Sequence, residues 1–450
     1  MIKYLLTLFI VSYSLKISLA QTFSTLSSGC NNKVNAIVGD AGANNIIYAG
    51  GEFQNAGGNV VNRVAKWNGS AWSAMDNGMD SYVRTLTFFN NELYAGGDFI
   101  YAGGTVCWMV AKWNGSSWDS LNTGVRGSGV YSLAVYNSEL YAGGFFDTTL
   151  NFNQGRGIVK WNGTSWVAIN GVFASGVAGA AGFRVRAMKT FGGKLYVGGT
   201  FTTADGVTVN NIAKWDGTSW SAIGTGTNGD VNAFAVYNGD LYAGGNFTTA
   251  NGVTVNHLAK ISGNTFTAVG GGTNGVVNAL APYQNSLYVT GDFGTSGAVT
   301  TQNISRWDGT SWHNLTPSIP GVDGPGYCLT PFNGELFIGG FFAVAGTLLQ
   351  ANSIVKWNFP VGIEETPGTG NELQIFPNPS SGKIQLKLTG SIPEKFDLSI
   401  NDISGRELFS QKIDNYMSNI QIDLPGLKKG MYFLKLISEK TTLSSRLIIE

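Results

Sequence analysis

Apolar and polar residues alternate along this chain in runs of five to eight, each closed by a glycine-rich turn, and the pattern returns about every 46 residues. One pass can be read from residues 231–237, a β-period run, through Asn238-Gly239 into a second run at 241–247. Asn-Gly between two such runs predicts a two-residue hairpin. A longer loop at 248–256 leads to a third strand at 257–261, and a tight turn at Ser262-Gly263 leads to a fourth. The equivalent turns fall at Asn68-Gly69, Asn114-Gly115, Asn162-Gly163, Asp216-Gly217 and Asp308-Gly309, where the dipeptide is expected to supply positive φ angles. Each pass therefore predicts four short antiparallel strands.

Seven passes share the core L-Y-A-G-G-x-F, then a variable dozen, then A-K-W-[ND]-G-[ST]-S-W. Their second-strand aromatics stand at Tyr48, Tyr94, Tyr141, Tyr196, Tyr242, Tyr288 and Phe337, spaced by 46, 47, 55, 46, 46 and 49 residues. One four-stranded unit cannot bury its apolar faces alone, so an array of this period closes into a propeller. The seventh pass stops at Trp357-Asn358 without its fourth strand, and Phe23-Ser24-Thr25-Leu26 matches the missing piece. The expectation is an all-β chain: a seven-bladed β-propeller over 21–358, its ring closed by the N-terminal strand, which removes two open edges.

After a linker at 359–371, rich in Pro, Gly, Thr and Glu, the composition changes. Residues 371–450 carry 19 charged side chains in 80, against 37 in the preceding 370, and no Trp. Alternating runs at 383–388, 396–400, 420–424 and 432–437 predict a small antiparallel β-sandwich of about seven strands over 372–450. At the other end, Lys3, an apolar run over 4–11 and Ser18-Leu19-Ala20 read as a signal peptide over 1–20 cleaved before Gln21. The apolar run is too short to span a bilayer, and no cysteine follows the cleavage point to carry a lipid.

Two resemblances attach to these residues. The diglycine after an aromatic-bearing strand, followed by a Trp-containing hairpin, resembles kelch-type propellers and a fungal family of cortical cell-polarity markers over 23–358. The usual kelch Tyr before the Trp is absent; Trp67 and Trp72, or Trp215 and Trp220, frame the turn instead. The tail, with Ile375-Phe376-Pro377-Asn378-Pro379, Gly382, Asp402 through Gly405-Arg406, Gly430-Met431-Tyr432 and the end at 446–449, resembles the type IX secretion (type A) C-terminal sorting domains of Bacteroidetes. That resemblance implies export, recognition of residues 372–450 by the type IX machinery, and a final location at the outer cell surface or in the medium. Propeller resemblance implies fold and leaves function open.

Twenty-eight basic and 28 acidic residues cancel, so no net field draws the chain to nucleic acid or anionic lipid. Three cysteines, Cys30, Cys107 and Cys328, permit one internal disulfide at most. Cys30 and Cys328 both lie near the ring closure, and either a bridge or buried free thiols would suit them. Only two histidines occur, His257 and His313, on different blades, so no metal or cofactor is expected. The sequence also shows no arginine trio to clasp a carboxylate. Glu52, Asp98 and Asp292 follow the diglycine in blades 1, 2 and 6 and could pair for glycoside cleavage, though such groups are commonly solvated or hydrogen-bonded.

What recurs reads as scaffold: the paired Trp residues of five blades, and the basic residue of every blade at Lys66, Lys112, Lys160, Lys214, Lys260, Arg306 and Lys356. What varies at one shared position is where a site can be built. Just inside each first strand stand Asn35, Arg84, Tyr131, Arg186, Asn232, Asn278 and Tyr327, expected to ring the mouth of the central channel. Hydrogen-bonding groups and aromatic faces there suit a sugar or peptide ligand; a merely wet channel would tolerate the same residues. Trp108 alone among 12 tryptophans lies off the repeat's two Trp positions, in the blade 2 loop at 100–109. It is a second binding candidate on the same face, or it tucks against blade 3. An insertion at 171–182 is expected to border that face as a mobile rim. The sequence supports a non-enzymatic binding or adhesion module, with a glycan-active enzyme or a structural surface component as alternatives.

Overall fold

The computed structural model describes residues 22–358 and 372–449, apart from 41, 43–44, 123, 150–155, 170–172, 175–181, 316–320, 347–348, 379, 390–394, 403–406, 415–419, 425 and 439–441. The expected signal peptide, the linker and most of the 171–182 insertion lie outside the described residues. The chain divides into two units, 21–359 and the C-terminal region beginning at residue 360. The described elements are all strands.

Among the described residues, seven four-stranded antiparallel sheets form the body of the first unit. Blade 5 runs from inside to outside as Val231–Tyr237, Asp240–Gly245, Leu258–Ser262 and Thr265–Ala268. Inner strands of successive blades lie side by side, and that of the last blade, Gly326–Phe332, returns against that of the first, Val34–Gly39. The last blade is composite: Thr22–Thr25 pairs with Ile354–Asn358, and the Phe23 ring meets Trp357 edge-on at 4.8 Å. The N-terminal strand thus closes the ring.

Apolar faces are buried between blades, so the core is a series of interblade layers. In blades 1, 2 and 6 the second Trp also fastens the seam. Trp72 donates its indole N–H to the carbonyl of Leu26, and Trp118 to that of Met75, in the preceding blade. At the other end of the seam, the hydroxyls of Tyr136, Tyr237 and Tyr283 donate to carbonyls of Gly193, Asn285 and Gly334 in the next blade. Burial raises the second-strand tyrosines Tyr94 and Tyr242, each to about 12, so both stay neutral at any ordinary pH.

The recurring lysine has a local explanation. Lys112, Lys160, Lys260 and Lys356 reach the acid that opens the neighbouring second strand, at 3.0, 2.9, 3.2 and 2.7 Å. In blade 4 that acid is replaced by Lys194; burial, and then the Lys194 charge, lowers the pKa of Lys214.

Three details differ from expectation. The third-to-fourth turns do not take two positive φ angles: only the glycine does, as at Gly217 (φ +103°). The residue before it works through its side chain, with Asp216 Oδ1 accepting from the N–H groups of Thr218 and Ser219 at 2.8 Å. These hydrogen bonds hold the Asp216 carboxyl far below the ordinary carboxylate range. The long second-to-third connections contain small hairpins of their own, such as Thr249–Ala250 with Val253–Thr254. Blade 3 instead lengthens its inner pair into a ribbon, Val125–Tyr136 with Glu139–Thr149.

The second unit is a two-sheet sandwich. Glu372–Phe376, Lys383–Thr389 and Ile420–Asp423 form one sheet; Glu407–Ile413, Phe396–Asn401, Gly430–Ile437 and Thr442–Ile449 form the other. Ile384, Leu386, Leu398, Ile400, Leu434 and Leu447 are buried between them. Asn378, in the Phe-Pro-Asn-Pro motif, accepts a hydrogen bond from the Ile448 N–H at 2.8 Å, which ties the motif to the terminal strand.

Candidate functional site

The diglycine shapes the mouth of the channel. At Gly50 a Cβ would run into the Val83 side chain of the next blade; at Gly51 it would strike the Lys33 carbonyl. No larger residue fits between second strand and inner strand here. The inner strand responds with a β-bulge: pairing skips from Val34 to Ala36, leaving Asn35 without a partner. The same skip falls at Arg84, Tyr131, Arg186, Asn232, Asn278 and Tyr327. Every position singled out at the mouth is the unpaired residue of a bulge. The bulge re-aims that side chain, and all seven line one cavity of about 630 Å³. Below the polar ring, Ile37, Leu86, Met188, Phe234, Leu280 and Leu329 line the same cavity with apolar surface.

The seven are not equivalent. Asn35, Asn232 and Asn278 donate their amide N–H to carbonyls of the next blade's inner strand, Val83, Val277 and Gly326, at 3.0, 3.2 and 3.0 Å. They fasten seams. Blades 2, 3, 4 and 7 replace that asparagine by Arg84, Tyr131, Arg186 and Tyr327.

Arg84 is clamped between two acids. Its Nε and Nη2 donate to Asp98 at 3.1 and 2.7 Å, and its Nη1 to Glu52 at 2.9 Å. Burial opposes the guanidinium charge, but the hydrogen bonds and charge of Asp98 and then the charge of Glu52 outweigh it and raise its pKa. Lys33 Nζ lies 3.5 Å from Glu52 and 4.9 Å from the centre of the Tyr327 ring. Arg186 Nε lies 3.3 Å from Asp230. Two cavity-lining cations, Lys33 and Arg184, escaped the sequence reading. Each stands two residues before a bulge residue, and that spacing was the available signal.

Three arginines, Arg84, Arg184 and Arg186, line this one cavity; Arg84 and Arg186 are bulge residues, whereas Arg184 is paired in register with Thr200. Glu52 and Asp98, weighed for acid–base work, are ion partners of Arg84, and Asp292 is exposed. The histidines stay apart. His257 Nδ1 is 3.3 Å from the Gly245 carbonyl, and His313 Nε2 is 2.6 Å from Asp308. No group of three or more metal-ligating side chains occurs among the described residues. Cys30, Cys107 and Cys328 are free and buried; burial raises Cys107 to about 11 and the other two further, so all three stay protonated.

Trp108 does not line this cavity. It is half-buried, with Arg126 stacked 5.0 Å above its ring. Its φ of +46° matches Asn62, Asn210, Asn256 and Asn352 at the same place in other blades. Those asparagines donate to a turn carbonyl, as Asn62 does to Asn77 at 3.0 Å, a bond the indole does not replace.

A closed ring of antiparallel blades joined in one chain to a β-sandwich tail defines the class: a β-propeller protein with a C-terminal sorting module. The chain matches known families in two places: residues 374–450 match the secretion system C-terminal sorting domain, and residues 178–322 match the Rax2 C-terminal beta propeller domain. The tail marks the chain for export, to the cell surface or beyond. No curated protein matches it.

Among solved structures, the extracellular domain of a putative one-component system from B. thetaiotaomicron is similar at 12% identity and TM-score 0.46, over 96% of this chain and 58% of that one. A GH74 xyloglucanase from Xanthomonas campestris is similar at 12% identity and TM-score 0.46, over 82% and 59%. The computationally designed Ika8 protein is similar at 14% and 0.43, over 94% and 98%. This chain spans under two thirds of the first of these, and at such scores none of the three bears on function. No helix among the described residues is long and apolar enough to cross a membrane.

Proposed function

We propose that the propeller is a non-enzymatic binding module that acts outside the cell, delivered there by its sorting tail, and that its ligand sits in the channel mouth. One observation carries the reading. The position at which blades differ is a bulge in all seven, and the bulges collect those unlike side chains around a single cavity. A concave site with a polar rim and an apolar floor is the usual form of a ligand pocket. Three asparagines serve the seams, so discrimination falls to Arg84, Tyr131, Arg186 and Tyr327. The acids that a hydrolase would need as acid and base are engaged by Arg84, which favours binding over turnover.

The test is retention of the full exported chain on a broad glycan and peptide array. Tyr131→Ala and Tyr327→Ala should each weaken retention about tenfold, with thermal unfolding unchanged. Retention that survives both substitutions would remove the ligand from the mouth. Product formation from a retained glycan, abolished by Asp98→Asn, would turn the module into an enzyme.

A further inference from the structure

We infer that the ligand of the mouth is an anionic glycan, one bearing carboxylate or sulfate groups, gripped on the arc from blade 1 to blade 4. The inference rests on the binding reading above and adds the chemistry of the ligand.

Every charged side chain lining the cavity is a cation: Lys33, Arg84, Arg184 and Arg186. Their acidic partners stand behind them. Arg84 is 28% exposed, against 15% for Glu52 and 19% for Asp98; Lys33 is 26% exposed against the same Glu52; Arg186 is 36% exposed, against 27% for Asp230. In each pair the cation is the outer member, so a ligand in the cavity meets positive charge first. Arg184 is held by an aromatic face, with its guanidinium 5.5 Å from the centre of the Phe145 ring. Stacking fixes the plane of the fork and leaves its N–H edge for an acceptor. The remaining arc, blades 5 to 7, lines the cavity with Asn232, Asn278 and Tyr327 and no charge.

This asymmetry sets a ligand's orientation, with its anionic groups toward blades 2 to 4. Guanidinium matches carboxylate and sulfate in bidentate geometry. Tyr131 and Tyr327, on separated blades, line the cavity with aromatic rings of the kind that meet the C–H face of a sugar, Tyr327 with Lys33 over one face, and amides stand beside them for its hydroxyls. That combination favours a saccharide over an acidic peptide. The chain as a whole has no net charge, so the attraction is local to the mouth.

The experiment measures binding of the full chain to polygalacturonate, heparin, neutral dextran and polyglutamate across a salt series. Polygalacturonate and heparin separate carboxylate from sulfate sources. Binding to either of them, weakening steeply with salt, is expected. Arg184→Gln should weaken it about tenfold and Arg184→Gln/Arg186→Gln further, with a shallower salt slope, while Lys189→Ala on the exposed far end of the same strand changes nothing. Because Arg184 has no acidic partner among the described residues, its substitution strands no described carboxylate as Arg186→Gln strands Asp230. Equal, salt-insensitive binding to dextran, still lost in Tyr131→Ala, would overturn the anionic class and leave the mouth as a binding site. Binding to polyglutamate alone would overturn the glycan. Polyanion binding untouched by the arginine substitutions would overturn the proposed location.

Discussion

Trp108 occupies a backbone conformation that four other blades give to asparagine, the residue that tolerates it best. An indole at φ +46° carries about 1–2 kcal/mol of backbone strain, and the Arg126 stack returns about 0.5–1 kcal/mol. Trp108→Asn should therefore stabilise the propeller by about 0.5–1 kcal/mol, read as a higher urea midpoint at unchanged slope; a fall in stability would show that the indole packs better than its geometry implies. His257 gives a prediction with a pH window. Burial lowers its pKa below the ordinary imidazole value of 6.5, against the opposing pull of the Gly245 carbonyl. The unfolded chain then takes up the proton first, so stability is complete above pH 6.5 and is lost as pH falls toward the lower folded value. Blade 4 has Asn211 at this place, accepting from Phe201 N–H and donating to the Thr227 carbonyl. His257→Asn should flatten the decline in melting temperature between neutral pH and pH 5; an unchanged decline would assign it to other groups.

The diglycine–bulge pair is the element from which the mouth is built, and it can be tested without touching a ligand. Gly245→Ala would push a Cβ into the Asp230 carbonyl at the root of the blade 5 bulge, and backbone cannot swing aside as a side chain can. The expected cost is about 2–3 kcal/mol. Gly239→Ala, at φ +78° with open space around it, should cost only the backbone strain, about 1–2 kcal/mol. Equal losses would mean that close approach does not matter at the bulge. The same element shows how far the sequence can be read. Alternation and Asn-Gly located Val231–Tyr237 and its hairpin because strand period and turn chemistry are local. Residues 35, 84, 131, 186, 232, 278 and 327 could be aligned because the repeat fixes their place. That each is skipped by the pairing could not be read, since a bulge is a property of two strands in register. Hairpins of two-residue strands, such as Thr249–Ala250, are too short for any period. The Glu52–Arg84–Asp98 clamp joins two blades, and only the ring brings its members together. Lys33 and Arg184 were within reach, had the face of the strand been followed two residues outward.

At the scale of the molecule, closure depends on four residues at the edge of the chain. Thr22–Thr25 is held to Ile354–Asn358 by one antiparallel ladder and by Phe23 against Trp357, whereas every other blade is one continuous stretch of chain. Closing the ring through a non-local pair removes the two strand edges an open array would expose. It also makes this seam the place where opening begins, because no covalent turn joins its outer strands. Signal cleavage before Gln21, an expectation outside the described residues, would leave the closing strand intact. Phe23→Ala removes a buried ring, 8% exposed, and should cost about 3 kcal/mol. Phe266→Ala, 5% exposed in the outer strand of blade 5, should cost about as much. The two should differ in where the loss appears. In Phe23→Ala, hydrogen exchange should quicken first in Ile354–Asn358 and Glu335–Gly340 and then spread to the inner strands on either side, Val34–Gly39 and Val276–Tyr283. In Phe266→Ala it should remain within blade 5 until global unfolding. Exchange that quickens uniformly around the ring in both proteins would show that the blades open as one unit and that the closing strand is no weaker than the covalent joints.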